Sequence, residues 1–168
     1  MRTIRYHVDR QAAEQPDKVF MFAPEPRLEL TFSKLREECT KLGKHLKRLG
    51  LSKGDKVSFM MGNGYQTTIL FLGTMYSGFV VSPLNLQAQP SQLTHVLAHS
   101  DTKVVFVTDF QMERLQESLA CVDREIAVEI IDKNSDTIFP PCDLSQYDLP
   151  DVAESDPALL LYTSGTTG

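Results

Sequence analysis

The residues best suited to chemistry lie at positions 162–168. Tyr162-Thr163-Ser164-Gly165-Thr166-Thr167-Gly168 sets five hydroxyl side chains and two glycines directly after the apolar run Ala158-Leu159-Leu160-Leu161. The pattern predicts a strand feeding a small, donor-rich loop. Backbone N–H groups freed by glycine, backed by Ser and Thr hydroxyls, can surround the oxygens of a phosphate. The loop is not a Walker P-loop, because its glycines are three apart and no Lys follows within the chain. It is not G-x-G-x-x-G either. On residue types alone, a Ser/Thr/Gly-rich surface loop is an equally good reading.

Other chemistry-bearing residues form no catalytic set. His95 and His99 are spaced i, i+4 on an expected helix, which can hold a metal, but no HExxH pattern or third ligand accompanies them. His45 lies beside the apolar stripe of its helix and reads as a partly buried packing residue. Glu37 and Glu38 read as solvated partners of neighbouring lysines. Asp132, Asp136 and Asp143 lie in an acidic loop, and sequence order assigns no Ser/His/Asp or Cys/His arrangement. No catalytic residue and no metal ligand is therefore expected within the chain.

These residues need a scaffold, and the rest of the sequence describes one. Hydrophobic content of 42% and charged content of 23% over 168 residues suit a soluble globular protein, with one domain as the default. A net charge of −5 disfavours nucleic-acid binding. The charge is uneven: residues 1–56 carry a net +5 and residues 57–168 a net −10. Most of the lysines in the basic part belong to the outer face of one helix. Cys39, Cys121 and Cys142 are odd in number and fit no zinc spacing, so a reduced, cytoplasmic setting is expected. Arg2, Arg5, Asp9 and Arg10 precede any apolar stretch, unlike a signal peptide. The most apolar region, Thr68 to Val81, is too short to span a bilayer.

Periodicity predicts the elements. A short helix over 4–14 precedes a hairpin of strands 18–23 and 28–32, turned at Pro24-Glu25-Pro26-Arg27. Ser33 is the expected cap of a helix over 34–49, in which Leu35, Cys39, Leu42, Leu46 and Leu49 form a single stripe. Gly50 sits at its expected left-handed C-cap. Strand 56–61, helix 64–77 capped by Asn63, strand 79–82, a helix from Ser91 to about Ser100, strand 103–107, helix 110–120 and strand 126–131 follow. Residues 132–155 read as a polar, acidic connection over the surface, before strand 158–161. This alternation predicts an α/β fold: an open, mainly parallel sheet with helices on both faces, preceded by a short helix and β-hairpin. Ligands of such sheets bind at the carboxyl ends of strands, where the loop at 162–168 belongs.

The string Tyr162-Thr163-Ser164-Gly165-Thr166-Thr167-Gly168 resembles the phosphate-loop signature of the adenylate-forming superfamily, which includes acyl- and aryl-CoA synthetases, peptide-synthetase adenylation domains and firefly-type luciferases. That signature usually continues with Pro-Lys-Gly, which is absent here. Upstream segments match in order. Leu30-Thr31-Phe32-Ser33-Lys34-Leu35 is similar to Thr-Tyr-x-Glu-Leu, with Phe32 for Tyr and Lys34 for Glu. Gly54-Asp55-Lys56-Val57 matches the Gly-Asp-Lys/Arg-Val hallmark, and Asn63 a recurrent Asn after that strand. Gly78 through Asn85 resembles Gly-Ala-x-x-x-Pro-Leu-Asn. These upstream matches read as builders of the sheet, with Gly54 and Gly78 supplying turns.

The resemblance implies a ligase that joins a carboxylate to ATP, releasing pyrophosphate, and then passes the acyl group from AMP to the thiol of CoA. It implies ATP phosphate binding by Thr163, Ser164, Gly165, Thr166, Thr167 and Gly168, with Mg²⁺ and CoA used by the parent enzyme. Residues 1–168 would be the N-terminal portion of an adenylation domain: 1–55 helix, hairpin and basic helix, 56–131 the alternating region, 132–157 the acidic connection, 158–168 strand and truncated loop. The expected parent is a ligase of several hundred residues, and this piece alone is expected to be inactive. The start at Met1 favours a stand-alone CoA ligase over a peptide-synthetase adenylation domain. A non-catalytic α/β binding or structural module stays open, as does another phosphate-binding enzyme. No membrane span is expected, and uncovered sheet edges would favour self-association. The acid substrate is not legible.

Overall fold

The stripe on the second helix organises the molecule, because its apolar face must be covered by other elements. The computed structural model describes residues 2–137, 139 and 143–163. In chain order the elements are α1 (Ile4–Glu14), β1 (Val19–Ala23), β2 (Leu28–Thr31), α2 (Phe32–Arg48), β3 (Lys56–Met60), α3 (Tyr65–Tyr76), β4 (Val80–Pro83), α4 (Pro90–His99), β5 (Thr102–Val107), α5 (Asp109–Leu119) and β6 (Ala127–Ile130). β1 and β2 form an antiparallel hairpin, and the other four strands form a parallel sheet in the order β4-β3-β5-β6. The α/β fold with an open parallel sheet is as expected.

Side chains alternate across the sheet and divide the core in two. Val57 and Phe59 of β3, Val81 of β4, and Val104 and Phe106 of β5 face α1, α2 and α3, where Leu35, Leu42, Leu46, Ile69 and Leu70 pack. Met60, Val105 and Val107 face the opposite way, towards Leu93 and Leu97 of α4 and Leu115 of α5. Helices therefore cover both faces. Glycine allows two close approaches. A Cβ on Gly73 of α3 would lie 2.9 Å from Leu42 Cδ2 and 3.2 Å from Cys39 Cα, so α3 crosses α2 tightly. Gly78 has φ +82° and turns the chain into β4.

Several expected boundaries and caps differ. Thr31, not Ser33, caps α2: its hydroxyl accepts from the Lys34 N–H at 3.3 Å, and Ser33 lies within the helix, with its Oγ 3.1 Å from Thr31 Oγ1. The helix starts two residues early because β2 runs straight into it. Gly64, not Asn63, is the N-cap of α3, with no side-chain bond. α4 begins at Pro90, whose missing N–H costs nothing in a first turn, and the Gln89 N–H donates to Gln92 Oε1 at 2.9 Å.

Two longer-range expectations also change. The segment after β6 does not simply cross the surface. Phe139 and Leu149 pack against the core, and Phe139 stacks on His45 with ring centroids 3.7 Å apart. Burying these apolar groups outweighs the polarity of their neighbours. The strand expected over 158–161 reduces to one parallel bridge, Val81 with Leu159. The Val81 N–H donates to Ala158 O at 2.9 Å, and the Leu160 N–H donates to Val81 O at 2.9 Å. β4 is four residues long and ends at Pro83, so it offers little edge for further pairing.

Candidate functional site

The bridge at Leu159 runs the segment parallel to β4, so Tyr162 and Thr163 emerge at the carboxyl edge of the sheet. Ligands collect at this edge because the strands end there and their connecting loops diverge. Of the predicted phosphate-binding residues, Thr163 lies at this edge. Ser164, Gly165, Thr166, Thr167 and Gly168 lie outside the described residues. Tyr162 and Thr163 form one wall of a cleft of about 380 Å³, whose opposite side carries Asn85, Gln92 and His95. The cleft sits between the end of β4 and the first turns of α4. It is lined by hydrogen-bonding groups and by apolar Pro83, Leu84 and Val96.

Side chains hold the segment on both sides of the bridge. Upstream, Lys53 Nζ lies 2.7 Å from Asp156 Oδ2, which also accepts from the Ala153 N–H at 2.7 Å. The Lys53 bond is the main reason the Asp156 carboxyl stays below its usual range, and the Ala153 N–H adds to it. Downstream, Tyr162 Oη lies 2.8 Å from His99 Nδ1, and the two rings meet edge to face. Burial, with the charge of Asp101 second, holds the Tyr162 phenol above its usual value. The phenol is thus neutral at physiological pH, and a neutral phenol can share a hydrogen bond with Nδ1 in either direction.

The other residues singled out in the sequence divide between this cleft and the rest of the molecule. His95 and His99 stack with centroids 5.7 Å apart, and His99 is engaged by Tyr162. Among the described residues no three His, Cys, Asp or Glu side chains converge to hold a metal ion. The described residues therefore offer no such cluster to Mg²⁺. Glu38 corrects the sequence reading: it is only 1% exposed, not solvated. Its carboxylate accepts from Lys41 and forms an ion pair with Lys34, each 3.0 Å away, while Glu37 sits outside it 2.5 Å from Lys41. The bond with Lys41 is the main cause that lowers the Glu37 carboxyl pKa. His45 is fully buried and hydrogen-bonded, beyond the partial packing role expected.

Sequence reasoning missed Lys53, His99 and Asp156 as supports of the loop. Asp156 carried a weak signal, since it stands two residues before the apolar run. Glu38 carried a clearer one: it follows Leu35 by three and precedes Leu42 by four, which places it at the margin of the buried stripe.

The model of the family described as AMP-binding enzyme matches residues 8–168. The chain belongs to this family. Curated relatives of this adenylate-forming, AMP-binding family include CoA ligases. A sulfoacetate–CoA ligase of Cupriavidus necator is 41% identical over 160 residues, covering 94% of the chain and 31% of the relative. A long-chain-fatty-acid–CoA ligase of Yersinia pestis is 31% identical, covering 83% of the chain and 30% of the relative. The chain thus spans about a third of the length of these curated relatives. Solved structures agree on the fold. The N-terminal domain of FACL13 from Mycobacterium tuberculosis superposes with a TM-score of 0.80 at 23% identity, covering all of the chain and 42% of that structure. A luciferase-like enzyme of the mealworm Zophobas morio gives 0.82 at 18% identity, covering 99% and 40%. Among the described residues no helix is long and apolar enough to cross a membrane.

Proposed function

We propose that this chain is the N-terminal portion of an ATP-dependent carboxylic acid–CoA ligase. The reaction joins a carboxylate oxygen to the α-phosphorus of ATP and breaks the bond to pyrophosphate. A CoA thiol then forms the thioester and AMP leaves. The observation that carries this reading is that the family match runs through residue 168 and so includes the hydroxyl loop. The position of Tyr162 and Thr163 beside the end of β4 supports it, because a parallel sheet receives ligands at that edge.

In this reading the loop from Thr163 to Gly168 grips the β- and γ-phosphates of ATP, and later pyrophosphate. Hydroxyls and free backbone N–H groups are suited to that role. They offset phosphate charge from fixed positions, so little reorganisation is needed as charge shifts to the leaving group. Mg²⁺ would belong to residues outside the described ones. The acyl pocket and the CoA site are likewise assigned to the longer protein, and the 168-residue chain alone does not form adenylate.

ATP–pyrophosphate exchange tests both parts. The longer protein should exchange label in the presence of one or more acids of a panel running from sulfoacetate to long-chain fatty acids. No exchange with any acid would refute ligation. Robust exchange by the 168-residue chain alone would refute its dependence on the rest.

A further inference from the structure

The segment that delivers the loop is weakly held by its backbone. Only two ladder hydrogen bonds, both to Val81, attach residues 158–160 to β4. Leu159 is 42% exposed and Leu161 61% exposed, so burial adds little to its fixation. A strand held at one residue has poorly specified register, and a slip of one residue turns every side chain to the opposite face. Such a slip would carry Thr163 away from the carboxyl edge beside α4.

Two side-chain contacts oppose that slip from opposite ends. Asp156 sits before the bridge and takes hydrogen bonds from both Lys53 Nζ and the Ala153 N–H. Lys53 belongs to the turn between α2 and β3. That turn is itself tied to the start of β4 by the Gly54 N–H donating to Gly78 O at 2.9 Å. Tyr162 sits after the bridge and reaches His99 at the last turn of α4. The anchors thus belong to parts of the molecule fixed by the two opposite halves of the core. Two attachments flanking a single bridge define a register that neither defines alone.

We infer that the Lys53–Asp156 and His99–Tyr162 pairs are positioning contacts that set the register of residues 157–163 and thereby aim the phosphate-handling loop. The assignment of the loop to ATP phosphates rests on the ligase reading above, whereas the register claim stands on the contacts alone. Neither pair touches a reacting atom. Each acts by confining the segment before ATP arrives, which lowers the ordering cost of binding.

Lys53→Met and Tyr162→Phe in the complete protein test this, with Lys53→Arg as the conservative rescue. The first readout is amide hydrogen exchange mapped by peptide mass spectrometry. Lys53→Met and Tyr162→Phe should each speed exchange at the Leu160 and Val81 amides, which bond across the bridge, while β3 and β5 stay unchanged, and Lys53→Arg should restore protection. The second readout is ATP–pyrophosphate exchange kinetics. Each of the two variants should raise KM for ATP about threefold, as loss of one hydrogen bond or ion pair predicts, with KM for the acid unchanged. Unchanged protection of the Leu160 and Val81 amides in both variants overturns the inference, whatever the activity. Faster exchange with an unaltered KM for ATP also overturns it, because the pairs would then hold the segment without aiming the loop. Equal rises in both KM values would mark general damage and overturn it too. If the wild type shows no acid-dependent exchange, the ligase reading fails and hydrogen exchange alone decides the register claim.

Discussion

His45 Nε2 lies 2.9 Å from Glu129 Oε1 and ties α2 to the outer strand β6. The same ring places Nδ1 3.1 Å from Arg48 Nη2. A guanidinium can only donate, so Nδ1 accepts and the proton sits on Nε2, where it is given to Glu129. Phe139 stacks on the ring at an interplanar angle of 12°. One side chain thus joins a helix, a strand and the segment after β6.

Removing that side chain should therefore cost more than removing its bond. His45→Ala loses the stack, the buried volume and both hydrogen bonds, and should lower stability by about 2–3 kcal/mol. Glu129→Gln keeps an acceptor oxygen and should cost about 1 kcal/mol or less. Urea unfolding of the two variants checks the ordering. Equal losses would mean that the stack and the packing contribute nothing.

Gly43 on α2 predicts a second loss. A Cβ there would stand 2.1 Å from Ser77 Oγ and 2.6 Å from Leu149 Cδ2. Alanine in mid-helix is favoured over glycine by about 1 kcal/mol, but overpacking at such distances costs about 1–3 kcal/mol, so the clash wins. Gly43→Ala should be destabilising, with Leu149 displaced first. Limited proteolysis between residues 143 and 152 should accelerate in the variant. An unchanged cleavage rate together with a raised Tm would contradict this.

The sequence showed the core better than the attachments of the site. Leu35, Cys39, Leu42 and Leu46 were legible because a helix buries residues at a fixed period, and all four are at most 1% exposed. Strands β3 and β5 were legible as short apolar runs, because a parallel sheet covered by helices buries both of its faces. Glu38 escapes the pattern because a charge is expected to face water, whereas Lys34 and Lys41 reach in to compensate it where it is buried. The loop string itself was legible, but its supports were not. Asp156 meets Lys53, and Tyr162 meets His99, only after β4 has brought distant segments side by side, and no local pattern records that. The extent of strand 158–161 was overread for a related reason: an apolar run predicts burial, but the number of ladder bonds depends on the edge that receives it.

Tyr76 makes stability fall at alkaline pH. Its phenol donates to Asp9 Oδ1 at 2.7 Å, and its pKa is pushed up to about 12. Burial is the main cause; the bond to Asp9 adds to it, while Thr40 and Arg5 pull the other way. In the unfolded chain the group titrates near its ordinary value of about 10. Below that pH both states are protonated and the contribution is fully present. Between about 10 and about 12 the unfolded chain loses the proton first, so unfolding releases a proton and stability drops as pH rises, by up to ~1.4 kcal/mol per pH unit. Tyr76→Phe removes this contribution. The stability advantage of the wild type over the variant should thus be constant from pH 7 to 9 and shrink from pH 10 to 11. Urea midpoints measure it, and a constant advantage throughout would rule out a titrating Tyr76 as the cause.

Cys39 and Cys121 should differ sharply in reactivity. Only the thiolate attacks an alkylating agent, so reactivity follows both access and ionisation. Cys39 is wholly buried between α2 and α3, where the Gly73 backbone passes close to it. Burial pushes its thiol far up, and the charges of Glu38 and Asp9 push it further. Cys121 is exposed just after α5. With iodoacetamide at about pH 8, Cys121 should be labelled readily because the reagent reaches it. Cys39 can react only when α2 and α3 separate, so its labelling should be at least about 100-fold slower in the native protein. In urea the two rates should converge, because the barrier lies in the fold and not in the thiol. Peptide mapping resolves the two sites. Native labelling of Cys39 at a rate near that of Cys121 would mean that the α2–α3 contact opens freely, and the tight crossing at Gly73 could not then be a fixed feature of the core.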